Sequence, residues 1–215
     1  MDRYLTLFLV ASVLCGCQLR RQRDTQSYQT VAKDPRRDEA LARREAARAK
    51  SLLESGELAE AEKALKAALA ADLFHGPAHN NLGIVYFRQS KFYLAAWEFQ
   101  YAAELMPHKP EPKNNLGMVL EAVGRLDDAA KQYGQAMAAA PDNPEYVGNL
   151  TRCRIRQNKR DAETRKLLEE LLLKDTRPDW LKWARGELLR MPLAESATAT
   201  QPALPLPPPT RPPAQ

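Results

Sequence analysis

Several residue types recur along this chain at a spacing of 34 positions. Leucine recurs at Leu82, Leu116 and Leu150, and alanine forms two further series: Ala61, Ala95 and Ala129, and Ala68, Ala102 and Ala136. A fixed period of this length is typical of arrays in which each repeat is a pair of helices. The period therefore predicts an all-α solenoid, a fold that offers a long binding surface and rarely a catalytic pocket.

Two units, from His79 to Pro107 and from Lys113 to Pro141, carry the repeat most completely. Both resemble the tetratricopeptide repeat. The matching residues are Leu82, Gly83, Tyr86, Ala95, Phe99, Ala102 and Pro107 in the first unit, and Leu116, Gly117, Leu120, Ala129, Tyr133, Ala136 and Pro141 in the second. Glycine inside a helix costs about 1 kcal/mol relative to alanine, so Gly83 and Gly117 indicate close helix contacts.

The array extends beyond these two units in both directions. A weaker unit runs from about Ala42 to Ala71, and a degenerate unit begins at Asn143. The segment from Pro178 to Arg190 is suited to a capping helix, because Pro178 fits a first helical turn and its apolar residues can cover the end of the array. Residues 41–190 are therefore predicted to form a domain of about three to four helix pairs with a C-terminal cap.

The N-terminal sequence predicts an exported protein. An apolar run from Tyr4 to Leu14 is too short to span a membrane and fits the core of a secretory signal. The run leads into Leu14-Cys15-Gly16-Cys17, which resembles a bacterial lipobox. That resemblance implies a lipoprotein signal peptide over residues 1–16, lipid such as palmitate on Cys17, and a periplasm-facing location at the outer membrane. An ordinary secretory signal, which would give a secreted or periplasmic protein, is the alternative.

The segments that flank the array differ from it in composition. Residues 17–40 are polar and rich in arginine, which predicts a flexible basic tether. Residues 191–215 contain half of the 16 prolines of the chain. Such a composition predicts a disordered tail of polyproline II character, which serves either as a spacer or as a short ligand for a partner.

A recurrent asparagine marks the predicted inner face of the array. Asn81, Asn115 and Asn149 each directly precede the leucine of the 34-residue register. An asparagine amide both donates and accepts hydrogen bonds, so it can pair with a peptide backbone. In superhelical tetratricopeptide proteins an asparagine ladder has this role, and bracing of a neighbouring turn is the alternative. The other residues predicted to line this groove are Ile84, Phe87, Arg88, Met118 and Arg152.

A second predicted surface interrupts the repeat. Tyr93, Trp97 and Tyr101 lie four residues apart and so share one face of a helix. The matching positions of the neighbouring repeats are polar or small, whereas core positions should stay apolar. We interpret the three as an aromatic patch on the convex side, available for an interaction. Cover by the N-terminal segment is the alternative.

Other functional classes are poorly represented in the sequence. No nucleophile motif, phosphate loop or complete set of metal ligands is recognisable, so no enzyme activity, cofactor, catalytic residue or metal site is predicted. The net charge of +5 includes a basic cluster near Arg152 and Arg156. The aromatic residues lie in a different repeat, which argues against nucleic-acid binding.

Together these features predict a membrane-anchored scaffold of the bacterial cell envelope. The expected partner is a protein or peptide, and the expected setting is the assembly of an envelope, pilus or secretion complex. An accessory subunit of a cell-wall enzyme and a structural envelope protein are the alternatives.

Overall fold

The structure, a computed structural model, describes residues 37–191, and these form nine α-helices. The helices are α1 (Glu39–Ser55), α2 (Leu58–Ala71), α3 (Gly76–Arg88), α4 (Phe92–Leu105), α5 (Glu111–Ala122), α6 (Leu126–Ala139), α7 (Pro144–Arg156), α8 (Ala162–Lys174) and α9 (Pro178–Arg190). The predicted signal peptide, the lipidation site at Cys17, most of the tether and the proline-rich tail lie outside these residues. Within residues 37–191, no helix is both long and apolar enough to span a membrane.

The helices pack as four consecutive antiparallel pairs, α1 with α2, α3 with α4, α5 with α6 and α7 with α8. Each pair also packs on the next, because α2 contacts α3, α4 contacts α5 and α6 contacts α7. The first helices of successive pairs contact one another as well, since α1 touches α3 and α3 touches α5. The chain is therefore an all-α solenoid, as the sequence period predicted, and the first helices form its inner face.

The alanines that keep the period form the contacts within each pair. Both alanine series, at 61, 95 and 129 and at 68, 102 and 136, are fully buried. Gly83 and Gly117 on the first helices face Phe99 and Tyr133 on the second helices. A β-carbon on Gly83 would lie 2.6 Å from the Phe99 ring, so glycine is required where the facing side chain is aromatic.

One backbone conformation recurs with the same period. A residue one or two positions after each first helix is left-handed: Gly56 and Gly124 have φ of 82°, Ser90 has φ of 60° and Asn158 has φ of 61°. Glycine adopts this conformation at no steric cost, and asparagine tolerates it better than serine does. The turn between the two helices of a pair is thus conserved in geometry even where glycine is missing from the sequence.

Helix α9 covers the C-terminal end of the array. The buried apolar residues form two hydrophobic clusters, a first that includes Leu65 and Phe99 and a second that includes Leu168 and Leu171 of α8. Ala184 of α9 is fully buried within the second cluster. Trp180 packs on Gly148 of α7, where a β-carbon would lie 2.8 Å from the indole ring. The cap therefore contacts both helices of the fourth pair.

Candidate functional site

The inner face carries a regular set of amide–amide hydrogen bonds between successive repeats. Asn115 Nδ2 donates to Asn80 Oδ1 at 2.9 Å, and Asn149 Nδ2 donates to Asn114 Oδ1 at 2.8 Å. Each bond joins first helices of neighbouring pairs. Asn149 is only 5% exposed. Two of the three predicted ladder residues therefore brace the array, and the amide of Asn149 is largely withdrawn from the surface.

Asn81 differs from the other two. The preceding repeat has Ala46 and Ala47 at the positions of the asparagine doublet, so the amide of Asn81 has no equivalent partner there. The side chain is half-buried and lines an open cleft of about 180 Å³. The opposite wall of this cleft includes Met106 and Lys109. Among the three ladder residues, Asn81 is thus the one whose amide makes no hydrogen bond to a neighbouring repeat.

The predicted apolar residues of the groove are partly covered by their own repeats. Ile84 and Phe87 pack against the first hydrophobic cluster, and Met118 packs against the second. The Phe87 ring also contacts Phe92 with a centroid distance of 5.7 Å. All three side chains remain partly accessible, so they contribute apolar surface to the groove without being free of the core.

Arg88 binds the end of a neighbouring first helix. Its Nη1 donates to the carbonyl oxygen of Leu53 at 2.7 Å. Arg156, two repeat periods further on, makes the equivalent contact to the carbonyl oxygen of Glu121 at 3.4 Å. Each of these carbonyl oxygens also accepts a hydrogen bond from the N–H of the left-handed glycine that follows its helix, so the arginine is a second donor to it. Their first role is therefore to join neighbouring first helices.

Glu121 is the centre of a buried polar cluster at the far end of the groove. Its carboxylate accepts hydrogen bonds from Arg152 Nη2 at 2.9 Å, Arg156 Nη1 at 2.9 Å and Tyr133 Oη at 2.7 Å. Burial by itself would raise the pKa of Glu121, but these hydrogen bonds outweigh it and lower the pKa from 4.5 to about 2. Burial and the adjacent carboxylate raise the pKa of the Tyr133 hydroxyl. Two arginines facing one carboxylate give this cluster itself a formal charge of +1.

The cap closes the groove beside this cluster. The Arg152 guanidinium lies 5.4 Å from the centroid of Trp180, and Arg177 lies 4.7 Å from it. Trp183 meets Trp180 edge-on at 5.4 Å. Arg152 is thus held between Glu121 and an indole, which orders its side chain at the edge of the groove.

The aromatic patch is divided by the structure. Tyr93 is 83% exposed and Trp97 is 67% exposed, so both point into solvent from α4. Tyr101 is half-buried, and its ring meets that of His79 edge-on at 4.6 Å. His79 in turn bonds Glu98 Oε2 at 2.6 Å and the Leu73 carbonyl oxygen at 2.8 Å. The first two aromatic residues form an accessible surface, and the third joins it to the core.

The basic cluster, the cysteine and the possible metal ligands of the described region show no further site. The basic residues near the last turn of α7 have carboxylate partners; besides the pairs of Glu121, Arg154 binds Asp161 and Arg160 binds Glu187. Cys153 is buried, and burial raises the pKa of its thiol to about 11. Between residues 37 and 191, no three His, Cys, Asp or Glu side chains lie together in a way that would hold a metal ion.

Comparison with known families agrees with this geometry. Two family models described as tetratricopeptide repeat match residues 46–110 and 120–182, which together make up more than half of the chain. The chain is a tetratricopeptide repeat protein. In this tetratricopeptide repeat protein the matched residues include the whole of α2, α3, α4, α6, α7 and α8. They also include the last ten residues of α1, the last three of α5 and the first five of α9.

Solved structures share the fold at low sequence identity. The first repeat domain of Spaghetti (RPAP3), bound to the HSP90 peptide SRMEEVD, has a TM-score of 0.55 and 21% identity over 57% of this chain and 98% of that domain. PilF from Pseudomonas aeruginosa has a TM-score of 0.64 and 20% identity over 70% of this chain and 68% of that protein. MamA has a TM-score of 0.58 and 21% identity over 66% and 80% of the respective chains. No curated protein sequence matches the chain.

Sequence reasoning missed the acceptors of the asparagine ladder. Asn80 and Asn114 also keep the period of 34, and their doublets with Asn81 and Asn115 were a visible signal for paired amides. It also missed that Glu121 is buried, since nothing local to that residue distinguishes it from the exposed glutamates nearby. The arginines that bury it lie 31 and 35 residues further along the chain.

Proposed function

We propose that this tetratricopeptide repeat protein is a non-catalytic scaffold that binds an extended segment of a partner protein in its inner groove. The observation that carries the proposal is Asn81, whose amide faces a cleft and lacks the inter-repeat partner that holds Asn115 and Asn149. An amide of this kind can bond to both the N–H and the C=O of a peptide. The peptide bound to the Spaghetti repeat domain supports the choice of ligand class.

The groove also suggests which segment it would take. Ile84 and Phe87, further along α3, and Met118 on α5 offer partly accessible apolar surface. The cluster of Glu121 with Arg152 and Arg156, which has one positive charge in excess, lies at the other end. A segment with apolar side chains followed by an acidic residue complements both properties.

A photo-crosslinking residue in place of Ile84 tests this proposal in cells. We expect it to capture a defined partner, and we expect Asn81→Ala to lower the yield of that product. The same crosslinker in place of Lys63, which lies on the exposed side of α2, is the matched control. Equal capture from both positions, or capture that Asn81→Ala leaves unchanged, would show that the groove is not the binding surface.

We further propose that Cys17 anchors the scaffold by a lipid in the outer membrane, facing the periplasm, where it takes part in assembling an envelope, pilus or secretion complex. The lipobox-like sequence from Leu14 to Cys17 supports this setting. Cys17→Ala should move the protein from the membrane fraction to the soluble fraction of the cell. Persistent membrane association of that variant would contradict lipid anchoring.

A further inference from the structure

A cleft separates α4 from α6 on the side of the second helices, away from the groove. Its volume is about 430 Å³, and α5 forms its floor through Leu116 and Leu120. Leu116 is the one leucine of its 34-residue series that stays partly accessible, since Leu82 and Leu150 are buried. This cleft is therefore a local departure from the regular array.

The cause of the departure is a small residue on α4. Ala103 lines the cleft, whereas the matching positions of the neighbouring repeats are Leu69 and Met137. Those two longer side chains pack against the hydrophobic core. With an alanine at this register, Leu116 keeps part of its surface open to the cleft, although it also packs against both hydrophobic clusters.

The exposed aromatic residues Tyr93 and Trp97 do not line this cleft but lie beside it on α4. Ala96 and Gln100 line the α4 wall of the cleft. Each lies three residues after an exposed aromatic residue, Ala96 after Tyr93 and Gln100 after Trp97, and residues at this spacing are neighbours on a helix surface. Gln132 and Gln135 line the α6 wall. A polyproline II segment binds to a surface of this kind. Its proline rings need flat contacts, which the apolar floor and the nearby aromatic residues offer, and its carbonyl groups need donors, which the side-chain amides offer.

The charges of the cleft favour a ligand with one cation. Its two basic residues are already engaged, because Arg125 pairs with Asp128 and Lys113 Nζ donates to the Pro107 carbonyl oxygen at 2.9 Å. Glu104 has no ion-pair partner among the described residues, and its nearest polar contact is Gln100 Nε2 at 3.5 Å. An arginine of a ligand would complete this site.

The geometry points to residues 202–213 of this same chain as the occupant. Their sequence, PALPLPPPTRPP, combines prolines and leucines with a single charged residue, Arg211. The described residues end at Met191, and the 11 residues from there to Pro202 reach roughly 34 Å when extended, at about 3.1 Å each. Because Met191 follows α9, the tail has to pass α9 and α8 to reach α6. At about 10 Å per helix layer, this path is within the reach of the extended segment. The docked tail covers Leu116 and Trp97, and Arg211 pairs with Glu104.

The test follows Trp97 in the full chain by fluorine NMR after incorporation of 5-fluorotryptophan, with its resonance assigned by Trp97→Phe. We expect the solvent isotope shift of this resonance to increase when Pro207, Pro208 and Pro209 are all replaced by serine, because the indole then becomes accessible. Ala103→Leu, which fills the cleft, should have the same effect. Ala138→Leu, an exposed alanine of α6 outside the cleft, is the matched control and should have none.

Two results would overturn the inference. One is a Trp97 resonance that is the same in the wild type and in the triple-serine variant. The other is an effect that appears only as the protein concentration rises, since the tail of a second copy would then be the occupant. The inference is independent of the proposed groove, because Asn81→Ala should leave the Trp97 resonance unchanged.

Discussion

The ring of Tyr133 occupies the space in which a side chain on Gly117 would lie. A β-carbon built on Gly117 would come within 2.7 Å of the Tyr133 ring, and Tyr133 is fully buried. At the same register the first repeat pairs Ala49 with Leu65. The two positions therefore vary together: where the second helix carries an aromatic ring, the first helix carries glycine.

This close contact predicts opposite effects for two glycine substitutions. Gly117→Ala should destabilise the array by about 1–3 kcal/mol, because the Tyr133 ring has to move in a filled core. Gly134→Ala on α6 is the control, since nothing lies within 4 Å of its β-carbon position. It should gain up to about 1 kcal/mol from helix propensity. Urea unfolding of both variants measures the difference, and equal effects would contradict the packing described here.

The buried carboxylate predicts a stability that depends on acid. The folded pKa of Glu121, at about 2, is below its ordinary value of 4.5. Its contribution to stability is therefore fully present above about pH 4.5 and is lost as the pH falls toward 2, with a magnitude on the order of 3 kcal/mol. Unfolding free energies measured between pH 5 and pH 2 should fall less steeply in Glu121→Gln than in the wild type. Glu169→Gln, at an exposed position, should retain the wild-type slope.

The left-handed turn at Ser90 predicts a stabilising substitution. Serine with φ of 60° is strained, whereas glycine is not. Ser90→Gly should therefore raise the free energy of unfolding by about 1 kcal/mol, and Gly124→Ala should lower it by a similar amount. Thermal melting is a sufficient measurement. A loss of stability in Ser90→Gly would mean that the serine makes a contact worth more than its strain.

The asparagine ladder predicts a separation of stability from binding. Asn149→Ala removes the donor to the buried Asn114 and should cost about 1–3 kcal/mol. Asn81→Ala removes no inter-repeat bond, so its unfolding free energy should stay within about 0.5 kcal/mol of the wild type. Chemical denaturation of both variants, compared with their crosslinking yields, distinguishes a bracing residue from a ligand contact.

Much of the fold could be predicted because it depends on local periodicity. Buried alanines at 61, 95 and 129 and prolines at 107 and 141 encode helix pairs within single repeats, and the repetition makes the register unambiguous. Even the degenerate fourth unit and its cap follow from spacing, since Trp180 falls where an apolar end needs cover.

The groove was less predictable, because the state of each residue depends on the neighbouring repeat. Asn81, Asn115 and Asn149 are the same residue at the same register. They differ only because Asn80 and Asn114 precede two of them by 35 residues and Ala46 precedes the third. A comparison of repeats one at a time treats the three asparagines as equals.

The sequence alone determined that this chain is a solenoid, where each repeat begins and which small residues allow its helices to approach. These properties follow from contacts within a repeat, which a 34-residue period specifies directly. Only the tertiary structure decided that Glu121 is buried, that Asn149 is withdrawn and that Leu116 remains accessible. Those outcomes depend on side chains about one repeat away along the chain that stacking brings to within a few ångströms.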